Sequence, residues 1–336
     1  MATTRVRARP ENPRRGLTYE DCNLGPYGYD GLPELIRNRN SMAARGSVLV
    51  PKLPDLGYTI NRKSDVWAEN VTALYEEAKA RRWAPAVDIP WGDIAAHRDP
   101  LREAAMAQLC TLLEEVALVA MEAPSRWVFS INQEFIELKS FLCAQMIDEA
   151  RHVEACRKRA LVSGQGLGRA SVAAEQALKE LLLAETYPEA SLAANLLLGS
   201  FVLAMYRALA VVADSRADRL LGTLAMQDVA RSVAYGVGHM RYHLAHQPAK
   251  RALLEEYLDR TEHAAVGVAG SPEFLEPLVV LGGGGRDRSA LARGSTFARR
   301  WFQSGLDQYF ERCAAAGFGA RAARSRLPRL VHTLAA

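Results

Sequence analysis

The chain has 336 residues, of which 49% are apolar and 24% are charged, and its formal net charge is +4. This composition is typical of a globular protein with a sizeable core. Arginine is spread along the chain and concentrated at the termini rather than gathered in one basic face, which argues against a nucleic-acid partner. The cysteines are widely spaced and form no C-x-x-C pair, so the sequence predicts a reduced, cytoplasmic protein without a disulfide framework. They are Cys22, Cys110, Cys143, Cys156 and Cys313.

The first part of the chain predicts little regular structure. Residues 1–16 are rich in Arg and Pro and lack an apolar run, which predicts a disordered basic arm rather than a secretory signal. Residues 17–63 predict an N-terminal extension of loops with one short helix over 33–45.

Helical periodicity dominates from residue 64 onward. Ser64 is predicted to cap a helix that ends near Trp83. Asp99 followed by Pro100 predicts the start of another helix, which Pro124 ends or kinks. Further helices are predicted over residues 126–162, 170–184, 188–212, 215–246, 248–265 and 295–315.

Together these elements predict an all-α protein with a four-helix bundle over residues 64–265 and additional flanking helices. Residues 266–336 are predicted to form a loop and helices that pack on the bundle. The glycine-rich stretch 280–287 lacks the Lys-Ser/Thr of a phosphate loop and predicts a flexible connection. Residues 190–213 are nearly all apolar, but Asn195, Arg207 and many small residues indicate a buried bundle helix. No membrane span is therefore predicted.

One motif carries chemistry. Glu149 and His152 form a Glu-x-x-His pair inside the string Asp-Glu-Ala-Arg-His, and this spacing places both side chains on one face of a helix. In two-iron bundles, two helices each supply such a pair and two others each supply one Glu. The string Asp148-Glu-Ala-Arg-His-Val is echoed later in the chain by Asp228-Val-Ala-Arg-Ser-Val.

These two segments resemble the ferritin-like diiron-carboxylate oxidase and oxygenase superfamily, which includes ribonucleotide reductase small subunits and arylamine N-oxygenases. The resemblance covers about residues 65 to 265. It implies a cytoplasmic non-haem iron oxidoreductase that acts with O₂ on a small organic substrate in secondary metabolism, by N-oxygenation, hydroxylation or desaturation. It also implies a reductase or ferredoxin as electron donor, and a homodimer or a pairing with a related ferritin-like subunit.

By this resemblance, the metal ligands are Glu114, Glu149 and His152. Glu114 takes the place of the lone Glu that precedes the first pair, with Glu115 as the alternative and Glu122 as the third choice. Asp228 is implied to accept a hydrogen bond from His152 and so to fix its tautomer.

The second half of the pattern departs from the family. Val229 and Ser232 stand where the family has Glu and His, and residues 197–200 offer no carboxylate. The nearest carboxylates, Glu185 and Glu189, lie farther upstream. Three of the usual ligands are therefore missing, and the sequence predicts one or two iron ions with a defective second site.

Other side chains leave alternatives open. Asp148, Arg151, Asp228 and Arg231 could instead form a buried ion network. His239, His243 and His246 are further candidate ligands, but we interpret them as the histidines of a helix end. Cys156 could also reach the site, and we interpret it as a buried thiol. The alternative to an iron enzyme is a metal-poor pseudoenzyme or structural subunit of a diiron oxygenase complex.

Overall fold

The computed structural model describes residues 9–10, 12–22, 32–36, 52, 56–94 and 99–328. In these ranges the chain forms helices and no β-strand, so the prediction of an all-α protein is confirmed. The long helices are α1 (Val71–Ala80), α2 (Pro100–Val128), α3 (Ile136–Val162), α4 (Val172–Leu182), α5 (Tyr187–Val212), α6 (Arg216–His246), α7 (Arg251–Ala269), α8 (Pro272–Gly283) and α9 (Arg288–Ala316).

Four of these helices form the bundle. A short loop joins α2 to α3, another joins α5 to α6, and each pair packs along its length as an antiparallel hairpin. Contacts between α3 and α6 join the two hairpins. The remaining helices flank the bundle: α1 lies against α3 and α6, α4 packs on α7, and α8 and α9 pack on each other and on α2, α5 and α6.

The helix starts follow from capping side chains that satisfy otherwise unpaired N–H groups. The Asp99 carboxylate accepts from the Leu101 amide at 2.9 Å with Pro100 at the first helical position, as the sequence predicts. The Ser215 hydroxyl accepts from the Asp218 amide at 2.9 Å at the start of α6. These caps fix where α2 and α6 begin, and with them the register of the bundle.

The prediction of a helix capped by Ser64 is wrong in its start, because α1 begins only at Val71. Ser64 lies in a single turn, and its hydroxyl donates to the Glu34 carboxylate instead of capping a helix. The prediction of a helix over residues 33–45 falls mostly outside the described residues, and residues 33–36 are not helical.

The boundary between α2 and α3 also differs from the prediction. Helix α2 continues through Pro124 to Val128, and α3 begins at Ile136 rather than at residue 126. The intervening loop pairs with the N-terminal extension, since the Asn132 amide donates to the Ile60 carbonyl at 2.9 Å. Tertiary pairing, which a local pattern cannot reveal, therefore removes this stretch from the helix.

The connection formed by the glycine-rich stretch is shorter than the predicted residues 280–287, because α8 extends into it. Helix α8 includes Gly283, and Gly284 ends it with φ +77° in the left-handed region. Helix α9 then begins at Arg288 because the Asp287 carboxylate accepts from the Ser289 amide at 2.9 Å. A Cβ at Gly294 would lie 1.9 Å from the Val279 carbonyl oxygen, so only glycine allows α8 and α9 to approach this closely.

Two described helices, Pro100–Val128 and Tyr187–Val212, are long and apolar enough to cross a membrane, and Pro248–Ala269 with Pro272–Gly283 would give a third as a bent pair. In the first two, 56% and 67% of the apolar window is buried by the rest of the protein. Packing in the bundle thus accounts for their apolar character.

Candidate functional site at the centre of the bundle

Glu149 and His152 lie one turn apart on α3, and both are buried. The Nδ1 atom of His152 is 2.9 Å from Oε2 of Glu149. Its Nε2 atom is 3.2 Å from Oδ2 of Asp228 on α6. The expected contact between Asp228 and His152 is therefore present, and it links the two hairpins.

Asp228 is the hub of a larger polar network. Its carboxylate also accepts from the Trp83 indole at 2.7 Å, from Arg151 at 3.2 Å and from Arg231. Arg231 and Arg151 in turn donate to Asp148, the former at 2.9 Å. Asp148 is thus held by two guanidinium groups, so the buried ion network of Asp148, Arg151, Asp228 and Arg231 is present.

These contacts set the charge of His152. Both ring nitrogens face carboxylates, and a carboxylate can only accept, so both nitrogens donate and the ring is an imidazolium. Burial lowers the pKa of His152, but the adjacent Glu149 and Asp228 carboxylates outweigh it and raise the pKa to about 10. Burial likewise opposes ionisation of Asp228, yet His152 and Arg231 lower its pKa to about 2.

A cavity of about 20 Å³ lies beside Glu149 at the point where the four bundle helices meet. Each helix presents at least one residue there: Ala117 from α2, Glu149 from α3, Gly199 from α5, and Val229 with Ser232 from α6. Val229 and Ser232, the positions that depart from the family pattern, thus lie at the centre of the bundle. The rest of the lining is mostly small or apolar, with Gln145, Asn195 and Tyr206 as its other polar members.

The three candidate glutamates on α2 differ in burial, and none of them lines the cavity beside Glu149. Glu114 is buried, but it does not line the cavity beside Glu149, and its Oε1 atom accepts from Nη1 of Arg157 at 2.6 Å. Glu115 and Glu122 are exposed. Ala117, which sequence reasoning did not single out, occupies the face of α2 that turns towards Glu149.

The residues present do not fit a two-metal centre. Within the described ranges, no group of three or more His, Cys, Asp or Glu side chains is arranged to hold a metal ion. Of the donors near the cavity, His152 has both nitrogens engaged by carboxylates, and Glu149 is one of those partners. The set Glu114, Glu149 and His152 stays a prediction from the resemblance.

Two of the histidines of α6, His239 and His243, are buried and hydrogen-bonded to the segment before α1. His239 donates from Nε2 to the Asp65 carbonyl and accepts at Nδ1 from the Ser191 hydroxyl, both at 2.9 Å. His243 donates to the Ser64 carbonyl at 2.8 Å. Burial, with the charge of His243, lowers the pKa of His239 to about 3, so this ring is neutral. These rings fasten the segment before α1 to α6.

Cys156 is a buried thiol, as interpreted from the sequence. Its Sγ atom lies 3.7 Å from the Tyr206 hydroxyl.

A second, larger cavity of about 140 Å³ lies next to the small one. Leu113, Val116, Leu198 and Val202 line both cavities and form the wall between them. The rest of its lining comes from α2, α4, α5, α7, α8 and α9, with Ala170 and Leu327, and is almost entirely apolar, including four aromatic rings. These are Phe201, Phe274, Trp301 and Phe302. Sequence reasoning missed this cavity because six helices from distant parts of the chain build it.

No protein-family profile and no curated protein matches the chain. Solved structures do. One is a variant of an R2-like ligand-binding oxidase with an anaerobically reconstituted Mn/Fe cofactor, with a TM-score of 0.58 and 19% identity over 74% of this chain and 94% of that one. Another, with the cofactor reconstituted aerobically, has a TM-score of 0.57 and 18% identity over the same shares. The predicted ferritin-like fold is therefore confirmed.

Proposed function

We propose that this protein is a metal-poor protein of the ferritin-like oxidase fold that binds an apolar small molecule inside its bundle. The observation that carries the proposal is the apolar cavity of about 140 Å³ beside a centre that lacks a two-metal ligand set. The names of the similar structures support the ligand-binding half of the proposal, since those proteins are described as ligand-binding oxidases.

The size of the cavity supports a ligand on energetic grounds. A fully enclosed empty apolar cavity costs about 24 cal/mol per Å³, so roughly 3 kcal/mol is the upper limit for this one of about 140 Å³, which opens to solvent at Glu115. An apolar cavity of this size is known to hold a molecule such as benzene. A ring or a short alkyl chain would remove that cost.

Metal analysis tests the metal-poor half of the proposal. Protein purified in the presence of Fe(II) and Mn(II) under anaerobic conditions should retain far less than one equivalent per chain after gel filtration. The double variant Val229→Glu with Ser232→His, which restores a carboxylate and an imidazole facing Glu149, serves as the positive control and should retain more metal. One equivalent bound by the unaltered chain would overturn this half.

A ligand titration tests the other half. 1-Octanol should raise the unfolding midpoint of the protein, because binding to the folded state alone stabilises it. Ala177→Phe and Ala265→Phe each place a ring in the cavity and should abolish that rise. Ala292→Phe, at an exposed position on α9, is the matched control and should leave it unchanged.

A second candidate is the non-haem iron oxidase implied by the sequence resemblance, acting with O₂ on a small organic substrate. Two observations favour it. Glu149 and His152 remain side by side, and Oε2 of Glu114 has no hydrogen-bond partner among the described residues. Under this proposal Glu149, His152 and Glu114 would hold one iron, and Glu149→Gln would abolish iron retention. The same metal analysis decides between the candidates.

A further inference from the structure

The ionisable side chains around the two cavities carry one sign of charge. Among the described residues that line the large cavity there is no Lys, Arg or His, and Glu115 is the only Asp or Glu. Glu115 is exposed, so it stands where the cavity meets solvent. Within the same described part of the chain, its carboxylate forms no hydrogen bond or ion pair with another side chain.

The small cavity repeats this pattern on the other side of the shared wall. Its described lining again contains no basic side chain, and Glu149 is its only Asp or Glu. An apolar molecule in the large cavity therefore has the Glu115 carboxylate near the solvent side, whereas Glu149, beyond Val116 and Leu198, is already paired with His152 at 2.9 Å. No lining side chain in either cavity could neutralise a negatively charged ligand.

We propose that the ligand of the large cavity is a neutral molecule or an amine with an apolar body, and not a carboxylic acid. This inference rests on the proposed function, because it specifies the class of molecule that the cavity binds. A carboxylate would lose hydration without gaining a cationic partner, which is strongly unfavourable. An alcohol loses far less, and an ammonium group can remain hydrated at the rim beside Glu115.

The aromatic rings in the lining favour the same class. Phe274 and Trp301 lie with centroids 5.7 Å apart, and Phe201 and Phe302 with centroids 6.1 Å apart. These rings offer apolar contact to the body of a ligand, and their faces attract cations and not anions.

Three ligands of equal chain length test the inference: 1-octylamine, 1-octanol and octanoate, titrated at neutral pH and followed by tryptophan fluorescence and by the unfolding midpoint. We expect octylamine to bind about two- to fivefold more tightly than octanol, as for one exposed ion pair. Octanoate should bind at least about tenfold more weakly than octanol.

Variants of Glu115 identify the source of the preference. Glu115→Gln should remove the advantage of octylamine while leaving the affinity for octanol unchanged, and Glu115→Lys should reverse the order of octylamine and octanoate. Glu122→Gln is the matched control, since Glu122 is exposed on the same helix but does not line the cavity. The unfolding midpoint of each variant without ligand shows whether it has kept its fold.

The outcomes separate the two proposals. If none of the three molecules binds, the proposed function fails. If octanoate binds as tightly as octylamine, or if Glu115→Lys leaves their order unchanged, the inference on charge fails while the proposed function stands.

Discussion

Two buried histidines, His152 at the centre of the bundle and His239 nearer the end of α6, differ in charge although both are fully enclosed. His152 lies between the carboxylates of Glu149 and Asp228, which raise its pKa to about 10 against the effect of burial. His239 lies between a hydroxyl and a carbonyl, and burial lowers its pKa to about 3. Burial alone therefore does not decide whether a ring is charged; its partners do.

The comparison also bears on metal binding. A histidine binds metal through a nitrogen with a free lone pair. Both ring nitrogens of His239 are already used, by Ser191 and Asp65. Those of His152 lie against Asp228 and Glu149, so a metal ion at Nδ1 would have to displace the proton shared with Glu149.

The largest expected effect comes from removing the hub of the central network. Asp228→Asn would leave His152 and Arg231 without their shared carboxylate, and breaking a buried charge pair typically costs about 3–5 kcal/mol. Urea unfolding at pH 7 measures the loss in the free energy of unfolding.

Asp214→Asn is the matched control for this substitution. Asp214 pairs with Arg102 at 2.6 Å, but its side chain is 54% exposed, so its loss should cost at most about 1 kcal/mol. If Asp228→Asn destabilises the protein no more than Asp214→Asn does, the central network is not the structural element described above.

The two histidines predict opposite dependences of stability on pH. Because the folded pKa of His239 lies below the ordinary value of 6.5, the unfolded chain takes up the proton first as the pH falls. Stability is therefore lost below pH 6.5, by about 2 kcal/mol at pH 5 for this one ring. His152 acts in the opposite sense: its contribution is complete below pH 6.5 and is lost as the pH rises towards 10.

Urea unfolding between pH 5 and pH 8 measures this dependence. The variant His239→Gln removes the ring that is expected to cause the loss of stability below pH 6.5. The variant should be less stable at pH 7 but should lose less stability on going to pH 5. The same slope in both proteins would show that His239 is not held neutral in the folded state.

Local signals predicted much of the fold. The cap at Asp99, the apolar periodicity of the bundle helices and the contact between Asp228 and His152 all follow from residues close in sequence or from the resemblance. What local signals could not predict depends on the rotation of one helix against another. Glu114 and Ala117 are nearly one turn apart on α2, and only packing against α3 decides that Ala117 lines the central cavity and Glu114 faces Arg157.

The role of the α6 histidines could not be predicted for a related reason. Their partners, Ser64 and Asp65, lie more than 170 residues earlier in the chain. A helix end with several histidines has the same sequence pattern whether the rings face solvent or a buried carbonyl. The two cases differ only in the tertiary structure, in which the segment around Ser64 and Asp65 packs against α6.

The smallest expected effect tests the link between the two regions. The Gln145 side-chain amide donates to Oδ1 of Asn195 at 2.8 Å, the Asn195 side-chain amide donates to the Ser191 hydroxyl at 3.2 Å, and that hydroxyl donates to His239. The chain of hydrogen bonds thus runs from the small cavity to the neutral ring. Ser191→Ala would leave Nδ1 of His239 without a donor, which should cost about 1–2 kcal/mol in urea unfolding at pH 7.

Ser125→Ala provides the control for Ser191→Ala, since the Ser125 hydroxyl donates to the Glu122 carbonyl at an exposed site and its removal should cost about 0.5 kcal/mol or less. Equal losses in the two variants would mean that the buried ring gains nothing from Ser191. A larger loss in Ser191→Ala would show that the buried Nδ1 of His239 needs its donor, and that the polar chain from Gln145 to His239 contributes to the stability of the bundle.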